Sequence, residues 1–208
     1  MIAIVDYKAG NLTSVKRALE HLGIEGCVTP DPEVVRRAER IIFPGVGHAG
    51  TAMAVLHERG LDQALREAFA LGTPILGTCV GAQVILSHSE EGDTTCLALI
   101  AGDCQRFRPA DPALKVPHMG WNEVSLRAGR AHPVLAGIPD RSEFYFVHSY
   151  YLCPSDPAAV LATADHGVNF PAIIGQRNLI ATQFHSEKSG PVGLAILSNF
   201  ARWSGAEC

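Results

Sequence analysis

Pro74-Ile75-Leu76-Gly77-Thr78-Cys79-Val80-Gly81 decides the fold. Pro74 to Gly77 reads as a buried strand. The next apolar positions, through Val84-Ile85-Leu86, recur at helical spacing. A strand must therefore turn sharply into a helix at Cys79. Gly-x-Cys-x-Gly has the spacing of a nucleophile elbow with cysteine in the place of serine. The flanking glycines let backbone pass close on either side of a strained residue. Such a turn projects the sulfur at the carboxyl end of a sheet, where open α/β folds bind ligands. It also sets the sulfur at a helix N-terminus, which favours a thiolate, and aims the Val80 N–H at a developing oxyanion. A cysteine taken at random is more often a buried structural one; the elbow context reverses that preference.

Working outward from the elbow, short apolar runs alternate with helical periods. Ile2 to Val5, Ile24 to Val28 and Ile41 to Phe43 read as strands. Leu12 to Leu22, Glu33 to Ala38 and Thr51 to Leu71 read as helices, the last broken near Gly60. Asn11 and Thr13 stand at plausible cap positions. This alternation predicts an α/β fold with a mostly parallel, doubly wound sheet. In the second half, strands are expected over 97–107, 121–126, 143–152, 160–164, 172–176 and 179–184, and a closing helix over 192–203. They suggest an antiparallel layer added to the parallel sheet, so that residues 1–208 form one domain.

Two further segments bear on chemistry. Phe184-His185-Ser186-Glu187 follows an apolar strand. In an extended chain, residues i and i+2 point the same way. His185 can then face Cys79 while Glu187 fixes its tautomer, the logic of a Cys–His–carboxylate triad. His-x-Glu alone is common and would equally suit a solvated turn. Pro44-Gly45-Val46-Gly47 follows the third strand, and such a loop can aim N–H groups at an anion, though an ordinary strand-to-helix turn reads the same.

Composition narrows the function classes. With 47% hydrophobic and 18% charged residues, the 208-residue chain reads as globular rather than disordered. A net charge of -4 without a basic run argues against nucleic-acid or anionic-membrane partners. No run approaches the roughly 18 apolar residues of a membrane span. MIAIVDYKAG has no secretory pattern, so a cytoplasmic setting with free thiols is expected. None of the six cysteines forms a C-x-x-C pair, and no histidine has metal-ligand spacing, so neither a metal nor a cofactor is expected. Cys27, Cys104 and Cys153 are expected to be buried, and terminal Cys208 exposed.

Together these segments resemble class I glutamine amidotransferases, and within that class the glutaminase subunits of imidazole glycerol phosphate synthase. The resemblance rests on Asp6-Tyr7 with Gly10-Asn11-Leu12, PGVGHAG (44–50), GTCVGAQ (77–83), SEEG (89–92), VPHMGWNEV (116–124), FYFVHSYY (144–151) and QFHSEKSG (183–190). It implies that Cys79 attacks the carboxamide of L-glutamine, that His185 carries the proton and that Glu187 orients His185. It places Val46, Gly47 and Val80 around the oxyanion, with Val46 in a loop that must reorient. It assigns Gln83, Glu91, Ser149 and Tyr150 to glutamine. It also implies a heterodimer with a (β/α)8-barrel cyclase subunit that consumes the ammonia in histidine biosynthesis, with Asn11, Met119, Trp121, Tyr145 and Lys188 at or near the interface. For Trp121, core packing is the plainer alternative.

Several positions depart from the family's usual residues. Thr78, Val80 and Ala82 replace Ile or Val, Leu and Met; Ser186 replaces a proline between His185 and Glu187; Lys8 and Cys96 stand where glycine is common. A buried Thr78 hydroxyl would need a hydrogen-bond partner. These changes leave room for a glutaminase serving another acceptor, or for a catalytically weakened regulatory subunit.

Overall fold

A computed structural model describes residues 1–8 and 10–206. The first half alternates as its sequence predicts: β1 (Ile2–Val5), α1 (Leu12–His21), β2 (Gly26–Thr29), α2 (Pro32–Arg36), β3 (Arg40–Gly45), α3 (Ala49–Arg59), α4 (Leu61–Leu71), β4 (Ile75–Cys79) and α5 (Val80–Val84). Gly60, with φ 66°, separates α3 from α4 as expected. The short strands β5 (His88–Ser89) and β6 (Thr94–Thr95) precede β7 (Gly102–Arg106), β8 (His118–Leu126), β9 (Ser142–His148), β10 (Tyr150–Pro154), β11 (Val160–Asp165), β12 (Asn169–Gln176) and β13 (Leu179–Thr182). A 3₁₀ turn, Ser186–Lys188, leads into α6 (Gly190–Arg202).

The large sheet has nine strands in the order β2-β1-β3-β4-β13-β12-β11-β8-β9. The five from β2 to β13 are parallel. The other four continue the same sheet antiparallel. A separate four-stranded sheet runs β10-β7-β5-β6. The antiparallel addition is thus partly an in-plane extension and partly a second sheet.

Apolar runs in β1, β3 and β4 are continuous because both faces are buried. Ala3, Val5, Ile41 and Phe43 face one core with α3 and α4, through residues such as Leu56 and Leu65. Ile2, Ile4, Ile42 and Leu76 face the other with α1 and α6, through residues such as Leu19 and Leu197. Fully burying one such side chain is worth about 1.5–3 kcal/mol, so a charge at Ile4 or Ile42 would break the sheet.

Four local expectations need correction. The helix after the elbow stops at Val84, so the N–H groups of its first turn, rather than a long macrodipole, would act on the sulfur. Residues 97–101 form turns, not strand: the Leu97, Leu99 and Ile100 N–H groups bond back to Val84 and Ile85 carbonyls. The expected 143–152 strand divides at Ser149, where the chain leaves one sheet and enters the other. Cys27 and Cys153 are only partly buried, whereas Cys104 is buried; Cys208 lies outside the described residues.

Candidate active site

Strand order brings the pieces together. β4 lies between β3 and β13, with Gly45 paired to Cys79 and Thr182 paired to Thr78. The Val46-Gly47 loop therefore leaves the sheet on one side of Cys79, and the His185 segment leaves it on the other. Cys79 has φ 52° and ψ -113°, a left-handed conformation for a non-glycine residue. Such a conformation costs of order 1–3 kcal/mol and persists only where its surroundings enforce it. Gly81 is part of that enforcement: a Cβ there would fall 2.0 Å from the Phe43 carbonyl oxygen. Gly45 is equally constrained, since a Cβ there would meet the Tyr7 hydroxyl at 2.1 Å.

His185 is held from several directions. Phe184 stacks on Phe144 at 4.0 Å between ring centroids. The His185 N–H donates to the Tyr145 carbonyl at 3.0 Å, and the Ser189 hydroxyl donates to the His185 carbonyl at 2.6 Å. Its Nδ1 lies 2.8 Å from Glu187 Oε1, and the Glu187 side chain is only 1% exposed. The carboxylate also accepts from Asn11 Nδ2 at 3.0 Å. Burial alone would raise the Glu187 pKa, but the bonds from His185 and Asn11 overcome it and hold the group ionised. Burial likewise opposes charge on His185, yet Cys79 and Glu187 together push its pKa up to about 10. Nε2 is buried without a hydrogen bond of normal geometry, and the reactive neighbour acting on the ring is Cys79.

A cavity of about 250 Å³ opens on these groups. Val46, Gly47, Cys79, Val80 and His185 line it, as do Gln83, Glu91, Ser149 and Tyr150. Glu91 accepts the Ala49 N–H at 2.7 Å, tying the β6 side of the cavity to the start of α3. Pro117, Val147 and His148 line the cavity as well and were not singled out from sequence. Their signal lay in sequence neighbourhood, His148 directly preceding Ser149. Tyr7 was also missed as a chemical neighbour. Its buried hydroxyl has no partner, and burial together with Cys79 raises its pKa.

The five expected interface residues divide. Met119 and Trp121 are exposed, at 64% and 55%, so Trp121 is not core. Lys188 is exposed and Tyr145 half-buried. Asn11 corrects the cap expectation: its side chain makes no cap bond to α1 but, 4% exposed, reaches Glu187. It stands beside the His185–Glu187 pair.

The unusual residues have physical consequences. Lys8 has φ 68°, which explains why glycine suits that position. Thr78 is 1% exposed and its hydroxyl has no partner. Thr78→Val is therefore expected to stabilise the fold by about 1 kcal/mol. That would appear as a rise of about 2–4 °C in thermal midpoint for a chain of this size; a lower midpoint would mean the hydroxyl is satisfied by water.

A family model described as Glutamine amidotransferase class-I matches residues 3–203. The chain is 52% identical to the imidazole glycerol phosphate synthase subunit HisH of Nitratidesulfovibrio vulgaris (strain DP4), across 98% of this chain and 96% of that protein. It is 48% identical to the HisH subunit of Dehalococcoides mccartyi (strain ATCC BAA-2266 / KCTC 15142 / 195), over 96% of each. Among solved structures, a glutamine amidotransferase superposes with a TM-score of 0.76 at 19% identity, covering 99% of this chain and 100% of the other. PurLQS from Thermotoga maritima superposes with a TM-score of 0.75 at 17% identity, covering 97% of each. At those identities the two superpositions speak for the fold alone.

Proposed function

Because the chain belongs to the class-I glutamine amidotransferase family, we propose that it is the glutaminase subunit of an imidazole glycerol phosphate synthase, with Cys79, His185 and Glu187 as its catalytic residues. The observation that carries this reading is a strained Cys79 beside a buried, carboxylate-bound His185 in one cavity. The Cys79 sulfur attacks the carboxamide carbon of L-glutamine. N–H groups at Val46, Gly47 and Val80 stabilise the oxyanion. His185 gives its proton to the departing ammonia, leaving a thioester on Cys79. Water, deprotonated by His185, then hydrolyses the thioester to glutamate. Gln83, Glu91, Ser149 and Tyr150 hold the amino-acid end of the substrate.

The ammonia passes to a cyclase subunit, which we take to be a (β/α)8 barrel. Met119 and Trp121, exposed together on β8 with Tyr145 beside Trp121 at 6.1 Å between rings, supply an apolar docking face, and Lys188 supplies charge. The Val46 loop must reorient to present its N–H to the oxyanion, so the free subunit is expected to be slow until the partner docks. No helix among the described residues is long and apolar enough to cross a membrane. The proposed compartment is the reducing cytoplasm, where free thiols are kept reduced.

The test is glutamate release from glutamine by the chain alone and with a cyclase subunit bound to its ribotide ligand. Low release alone that rises strongly in the complex supports the reading. Release that never responds to the cyclase points to another acceptor, and no release in either state points to a regulatory subunit.

A further inference from the structure

Behind the cavity runs a chain of hydrogen bonds in which every member's role is forced. The Tyr150 carbonyl accepts from Gln83 Nε2 at 2.9 Å and lies 2.8 Å from His148 Nδ1. A carbonyl can only accept, so His148 carries its proton on Nδ1. Its Nε2 lies 3.0 Å from His118 Nδ1. At the far end Asn122 Nδ2 donates to the Asp165 carbonyl at 2.8 Å and lies 3.2 Å from His118 Nε2, which therefore accepts. His118 so carries its proton on Nδ1 and donates it to His148 Nε2.

Each ring uses one donor and one acceptor, so both are neutral. Burial enforces this, moving His118 down to about 4 and His148 down to about 3. Phe107 stands edge-on to both rings, at 6.3 and 5.2 Å, and His166 stacks on His118 at 4.3 Å. The pair is also a junction in the fold. His118 opens β8 and His148 closes β9 in direct register, and two residues later Tyr150 opens the strand that enters the second sheet.

We propose that His118 and His148 are positioning residues for glutamine binding: they fix the Tyr150 carbonyl, and through it the Gln83 amide, in the orientation that meets the substrate. This rests on the glutaminase reading above. With Nε2 committed to the Tyr150 carbonyl, and at 3.4 Å to Gln183 Oε1, Gln83 keeps Oε1 as its acceptor. Loss of the His148 bond loosens the carbonyl and leaves the longer Gln183 contact as the firmer hold on the amide.

Two isosteric replacements separate this role from simple packing. In His148→Asn the amide nitrogen takes the place of Nδ1 and keeps the Tyr150 bond. In His148→Gln the amide oxygen takes the place of Nε2, keeps the bond from His118 and loses the one to Tyr150. In the complex with the cyclase subunit, H148Q is expected to raise the KM for glutamine about tenfold, the worth of one hydrogen bond, with kcat nearly unchanged. H148N should recover most of that loss. Equal KM effects of the two variants, or a fall in kcat alone, would overturn the proposal. The histidine-ring ¹⁵N spectrum of the unaltered chain gives a second readout that needs no turnover. Protonation on Nδ1 is expected at both rings, and an Nε2–H form at either would overturn the proposal. A complex that releases no glutamate would sink the glutaminase reading instead, leaving the ring spectrum to decide the hydrogen-bond chain.

Discussion

Cys79→Ala lowers glutamate release in the complex by at least about 10⁴-fold, the scale seen when a nucleophile acting as part of a unit is removed. Among the described residues, no other cysteine lines the cavity. Cys96 and Cys153 are pushed by burial up to about 11, Cys104 is raised still further, and none of the three lines the cavity. Alanine keeps the Cβ and gains no freedom at φ 52°, so the thermal midpoint should stay close to that of the unaltered chain. The two readouts together separate lost chemistry from lost structure. A coupled glutamate assay returning a few per cent of the original rate would mean that water attacks the carboxamide directly. Cys79 would then be a bystander, and the triad reading would fall.

The elbow at Cys79 was legible because its signal is local. Strand, glycine, cysteine, glycine and helix follow one another within a few residues, and the close approach of Gly81 to Phe43 is the constraint that the spacing implies. The parallel half was legible for a related reason. Strands buried on both faces need continuous apolar runs, and Ile2 to Val5 and Ile41 to Phe43 are such runs. What failed to show depends on long-range partners. Asn11 before an amphipathic segment looks like a helix cap, and nothing nearby says that its amide reaches a carboxylate 176 positions away. The apolar run through Tyr150 does not record that the chain changes sheets at Ser149, because alternation is the same in either sheet. His118 and His148 each look like an isolated histidine. Only the β8–β9 register turns them into a pair.

Glu187→Gln should lower kcat by up to about 10⁴-fold while leaving the fold intact, the size of effect known when a triad carboxylate becomes an amide. In the present arrangement Oε1 accepts from His185 Nδ1 at 2.8 Å and from Asn11 Nδ2 at 3.0 Å. Two donors converge on one oxygen, which only an acceptor can satisfy. A glutamine oxygen at the Oε1 place can still accept from both, so Nδ1 keeps its proton, and the NH₂ takes the place of Oε2, which has no hydrogen-bond partner among the described residues. What the variant loses is the negative charge that, with Cys79, raises His185 to about 10, so the His185 limb of the pH–rate profile should move toward acid. Asn11→Ala removes only one of the two donors and leaves that charge intact. Its loss should therefore be smaller, about tenfold. Should E187Q and N11A reduce kcat equally without moving the profile, the carboxylate would be holding the loop in place and not the charge on His185.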